Sequence, residues 1–168
     1  MILFIECVVC CLIFTLLILP AQYKNPLNMI MSYPPKVIQR VESLPQYKGI
    51  IKQKEKAHIG KKIFGLIFFV IVLSGVAYLS GCRSFKSTFL HVFILFMTVN
   101  IYDLIVLDWG IFCHSRKLRI PGTEDMDKEY RDYWFHAKGA CVGTVLGAVV
   151  ALLSGGLVQL ICSGFFKR

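Results

Sequence analysis

The stretch TFLHVFILFMTVNIYDLIVLDWGIFC, Thr88 to Cys113, decides the fold. It is longer than the roughly 20 helical residues that cross a hydrocarbon core about 30 Å thick. Yet it carries two aspartates, Asp103 and Asp108. A carboxylate near the bilayer centre costs about 2.5 to 3.5 kcal/mol on insertion scales, so neither is expected to face lipid. Both should face protein or water.

Three further runs have the same character: Ile2–Pro20, Ile63–Gly81 and Gly139–Ser163. The chain is 56% hydrophobic and 17% charged, against roughly 25% charged in soluble domains, which points to lipid as its solvent. The expected fold is all-α, one polytopic membrane unit over residues 1–168. Its four transmembrane helices fall at about 2–20, 63–81, 88–113 and 139–163. The first run has no basic leader region, contains Glu6 and ends in LILPAQ, and is read as a span rather than a cleaved signal peptide.

Orientation follows from Lys and Arg in the connections, because short basic loops stay in the cytoplasm. The 21–62 loop holds nine and the 114–138 loop six, whereas the other face has only Arg83, Lys86, Lys167 and Arg168. Both termini are therefore expected outside a cytoplasmic (inner) membrane. The net charge of +9 is concentrated in those loops, which suits anionic lipid headgroups. Nucleic acid is not expected, for want of a soluble basic face.

In the first loop, PPKVIQRVESLP reads as a short helix between Pro35 and Pro45 with Val37, Ile38, Val41 and Leu44 on one side. It can lie in the headgroup plane or pack on the protein itself. In the second loop a turn at Pro121-Gly122 precedes Thr123, a candidate N-cap ahead of Glu124, Asp125 and Asp127. With no breaker downstream, one long helix should run from there into the fourth span. Tyr130, Tyr133, Trp134 and Phe135 would mark its crossing level.

The candidate ligand- or ion-binding residues are Asp103, Asn100, Asp108, Glu6 and His91. At about 100° per residue, Asn100 falls between the two acids, which lie about 140° apart. No Lys or Arg lies inside any span to neutralise Asp103. It therefore holds its own proton, exchanges a proton or cation, or binds a cationic solute; a purely structural role is a neutral hydrogen bond between helices. Thr15 and Thr144 are the partners at matching depth. Asp108 can pair with Arg116 or Lys117. Glu6 and His91 enter the opposite end to similar depth, either snorkelling separately to water or pairing as a proton relay.

Gly139, Gly143, Gly147, Ala151 and Gly155 recur every four residues on the fourth span. Such a groove admits another helix closely, from this chain, a second copy or a partner protein. Asp125, Glu129, Asp132 and His136 follow at helical spacing and form a rival site at the cytoplasmic face, with His114 or Asp108 beside it. No dedicated metal-ligand, phosphate-loop or nucleophile-elbow motif is present. The seven cysteines lie mostly in apolar runs and read as packing residues, with Cys82 and Cys162 near one face.

The reading this supports is a small proton- or cation-linked carrier or ligand-binding membrane protein with an intramembrane carboxylate. The alternatives are an interfacial enzyme acting on a lipid or lipid-linked substrate, and a non-catalytic accessory subunit. No cofactor is indicated by the sequence.

Overall fold

The computed structural model describes residues 1–165, with the side chains of 56–59, 61 and 165 left aside. Lys167 and Arg168 of the charge count lie outside the described residues, as do the side chains of Lys56 and Lys61. Among the described residues the chain is all-helical, and four helices are long and apolar enough to cross a membrane.

The first is α1, Ile2–Lys24, which runs through Pro20 rather than ending there. A 3₁₀ turn at Pro26–Ser32 leads to α2, Pro35–Ser43. After a second turn, α3 spans Ile50–Leu79, so the helix of the second span begins well before Ile63. Helix α4, Phe85–Tyr102, starts in a capping box in which Ser84 and Ser87 exchange hydrogen bonds. It passes directly into a π-helical segment, Asp103–Phe112.

The fourth span does not begin at Thr123. A single turn, α5 (Asp127–Tyr130), is separated by Arg131 and Asp132 from α6, Tyr133–Phe165. Two local interactions override helix propensity here. Ile120–Thr123 form a turn closed by Thr123 N–H donating to Ile120 O at 3.0 Å, with Gly122 at φ +88° in its third position. A Cβ at Gly122 would also lie 2.8 Å from Leu44 Cδ1. Thr123 thus turns its hydroxyl back to Ile120 O at 2.8 Å instead of capping a helix. The cap of α6 is Asp132, whose Oδ1 accepts from Phe135 N–H at 2.9 Å.

Two cores result. Within the spans, α4 and α6 form the central pair, α1 packing mainly on α4 and α3 on both. Cys7, Leu73, Ala77, Val92, Leu95, Val150 and Ala151 fill the interior, while the outward faces of the spans stay apolar, as a lipid solvent requires. Gly143, Gly147 and Gly155 of the small-residue stripe face Asn100, Phe96 and Phe85 of α4, whereas Gly139 has open space.

The second core joins the two long loops into a cap on one end of the bundle. Ile30, Tyr33, Val37, Val41, Leu118, Ile120 and Tyr130 close over Phe112 and Cys113. The apolar side of α2 is thus turned to the protein. Tyr130 is fully buried here instead of lying at a membrane surface. Its hydroxyl accepts from Ile120 N–H at 3.0 Å and sits 2.7 Å from Thr123 Oγ1. Tyr130→Phe should cost about 1 to 3 kcal/mol in thermal unfolding, because it strands the Ile120 N–H in an apolar interior. Tyr33 donates to Leu118 O at 3.1 Å, and burial beside Tyr130 pushes its phenol well above its ordinary range, so it remains a donor at any physiological pH.

Candidate functional site

The α-to-π transition falls on the residues singled out by their charge. In the widened turn the backbone bonds i to i−5; Cys113 N–H donates to Asp108 O at 2.9 Å. Residues five apart are then rotated relative to one another by much less than in an α-helix. Asp103 and Asp108 therefore share a side of the segment instead of standing 140° apart as regular α geometry requires. No proline or glycine pair announces this turn in the sequence, so residue counting at 100° misplaces it.

Asp108 is paired with neither Arg116 nor Lys117. Its Oδ2 lies 3.1 Å from His136 Nδ1, joining the π segment to the first turn of α6. His136 is buried and its Nε2 has no hydrogen-bond partner among the described residues. The imidazole stands edge-on to Phe112, centroids 5.1 Å apart, and to Phe135 at 5.3 Å. Asp103 forms no ion pair or hydrogen bond among the described residues.

Asn100 is committed to span packing. Its Nδ2 donates to Ala140 O at 3.0 Å and lies 3.4 Å from Thr144 Oγ1, in space that Gly143 leaves open. Thr144 thus serves Asn100 rather than Asp103. Thr15 likewise bonds elsewhere, 2.8 Å from the Tyr102 hydroxyl. Asn100 does not bridge the acids; it holds α4 against α6 directly before the backbone widens.

The rival cluster is not assembled. With the helix broken at Arg131–Asp132, Asp125 and Glu129 lose their alignment with Asp132 and His136. Asp132 caps α6, His136 meets Asp108, and His114 Nδ1–H donates to Trp109 O at 2.9 Å. Among the described residues no group of three or more His, Cys, Asp or Glu is placed to hold a metal ion.

At the other end of the bundle, Glu6 Oε2 of α1 lies 2.8 Å from His91 Nε2 of α4. Ser80, directly after α3, hydrogen-bonds Glu6 Oε1. The two acids of the π segment and the Glu6–His91 pair therefore occupy opposite ends.

The residue that sequence reasoning missed is Arg119. Its guanidinium lies 3.2 Å from Asp127 Oδ1, donates to Phe112 O at 3.4 Å and Cys113 O at 3.1 Å, and stacks 4.0 Å over the Tyr130 ring. It covers the last carbonyls of the π segment, where a cation is favoured by the helix dipole. In the sequence it is one of six basic loop residues, and only proximity to the Pro-Gly turn sets it apart. No protein-family model matches this chain, and no curated protein or solved structure matches it either.

Proposed function

We propose that this is a small multi-pass protein of a cytoplasmic membrane that exchanges a proton or binds a cation at Asp103 and Asp108. The charge bias of the loops supports placing the cap in the cytoplasm and both termini outside. The observation that carries the reading is Asp103: a carboxyl in an apolar span, without a cationic partner among the described residues, one wide turn from a second carboxylate. Two acids sharing a side of a helix repel as anions, so a cation or proton between them is stabilising. His136 offsets the charge of Asp108, and Asp103 remains for the exchangeable ligand.

The test is thermal stability of purified protein titrated with sodium, potassium, magnesium and simple amines at several pH values. A ligand bound only by the native state adds about 2.7 kcal/mol at a hundred times its dissociation constant. Asp103→Asn should keep expression and particle size and lose that stabilisation. Full stabilisation in Asp103→Asn, with collapse in Asp103→Leu, would assign Asp103 to packing.

One observation favours a second reading as an interfacial enzyme acting on a lipid or lipid-linked substrate. Asp108 orients the His136 ring through Nδ1, and its buried Nε2 has no hydrogen-bond partner among the described residues, the position from which a protonated imidazole donates as a general acid. In that case lipid turnover, rather than cation stabilisation, disappears in His136→Gln.

A further inference from the structure

We propose that Glu6, Ser80 and His91 form a proton-binding site at the end of the bundle opposite the π segment, with one exchangeable proton taken up on the Glu6 carboxyl. Three helices contribute: α1 supplies the acid, the end of α3 the hydroxyl and α4 the imidazole. The side chains of His91 and Glu6 are 10% and 18% exposed, so the site is largely closed yet reachable from one edge.

The hydrogen-bond chemistry of Ser80 makes the site two-state. Its hydroxyl has one hydrogen and two acceptors in reach, Glu6 Oε1 and Val76 O, the latter at 2.9 Å. With Glu6 ionised, the hydroxyl donates to Oε1, and His91 Nε2 lies 2.8 Å from Oε2 as an ion-pair contact. The Val76 carbonyl is still satisfied by Ser80 N–H at 2.9 Å. With Glu6 protonated, its O–H donates to Ser80 Oγ, the hydroxyl turns to Val76 O, and the His91 contact is unchanged. The two arrangements differ by one proton, taken from or returned to water, and by rotation of one hydroxyl. No heavy atom moves between the two, and the 2.8 Å contact of Glu6 Oε2 with His91 Nε2 is not aligned as a hydrogen bond.

Among the described residues the surrounding groups bring no second acid or cation into contact with Glu6 and His91. On α1 the neighbouring Cys7 donates to Thr98 Oγ1 at 3.5 Å, and Cys10 is half-buried. Arg83, in the turn after α3, stacks 3.8 Å over the Tyr78 ring and donates to the carbonyls of Tyr78 and Cys82. Lys86 on α4 is exposed. On α6, Gln159 accepts from Phe85 N–H at 3.0 Å and brings no charge.

The test is infrared difference spectroscopy of the full-length protein in phosphatidylcholine–phosphatidylglycerol nanodiscs between alkaline and acidic buffer. Wild type should show a protonated-carboxyl band that is lost in Glu6→Gln and shifted in frequency in Ser80→Ala, which keeps the acid and removes the acceptor of its proton. The same band should persist in Asp103→Asn, so that failure here and failure of the π-segment reading are distinguishable. An identical spectrum in Glu6→Gln overturns the proposal. Should that variant aggregate, Ser80→Ala and His91→Gln decide: an unshifted carboxyl band in both overturns it, and a shift in either supports it.

Discussion

Replacing Arg119 with alanine is expected to open the cap while leaving the four spans inserted. The guanidinium side chain is only 5% exposed and joins the cap to the end of the π segment through Asp127, the Phe112 and Cys113 carbonyls, and the Tyr130 ring. Truncation leaves two buried carbonyls without a donor and an aromatic face without its cation. Breaking a buried ion pair from one side costs about 3 to 5 kcal/mol. Because Asp127 is 51% exposed and can turn to water, about 3 kcal/mol is the better expectation. Arg119→Lys should recover little, since an ammonium cannot span two carbonyls, a carboxylate and a ring as a planar fork does. Limited proteolysis reads the result directly, with new cleavage expected in 21–49 and 114–132. Unchanged protease resistance together with an unchanged melting temperature would show that the cap holds without Arg119.

The second large effect is expected at Gly147, where α6 meets α4. A Cβ there would lie 2.5 Å from Phe96 Cδ1, well inside contact distance and near the root of the ring. Gly147→Ala therefore forces the ring off its rotamer or the helices apart, at about 1 to 3 kcal/mol. Helix propensity alone works the other way, since alanine improves on glycine by about 0.5 to 1 kcal/mol. Gly139→Ala isolates that term, because nothing lies within 4 Å of its Cβ position, and should be neutral or stabilising. Thermal unfolding of the two variants in one detergent checks the contrast. Equal behaviour would mean that α4 does not seat on Gly147. Gly143→Ala is the corresponding probe of the site: its Cβ would lie 2.3 Å from Asn100 Oδ1, so Asn100 must leave Ala140 and Thr144.

Both effects arise from close packing, and that is where the legibility of the sequence ends. The presence of Glu6, His91, Asp103 and Asp108 in apolar runs could be read residue by residue, because composition alone says which groups lipid will not accept. Their partners could not. Ser80 is one serine at a helix end, and His136 has the spacing of a different cluster. Arg119 is one cation in a basic loop. Ser80 and His136 acquire their meaning from Glu6 and Asp108 on other helices, and Arg119 from residues 6 to 8 positions away that only the folded loop gathers round it.

The sequence by itself determined that the chain is helical, with four runs long and apolar enough to cross a membrane, because the preference of apolar residues for hydrocarbon sums over some twenty positions and survives any detail of packing. It also marked the Pro121-Gly122 turn, whose backbone angles are local properties of those two residues. Only the tertiary structure decided that the two loops fold into one cap, that the fourth span starts at Tyr133 and that the third widens into a π turn at Asp103. Each of those outcomes is a choice between competing hydrogen-bond patterns, settled by partners such as Leu118 for Tyr33, Ala140 for Asn100 and His136 for Asp108 that only the folded chain brings together.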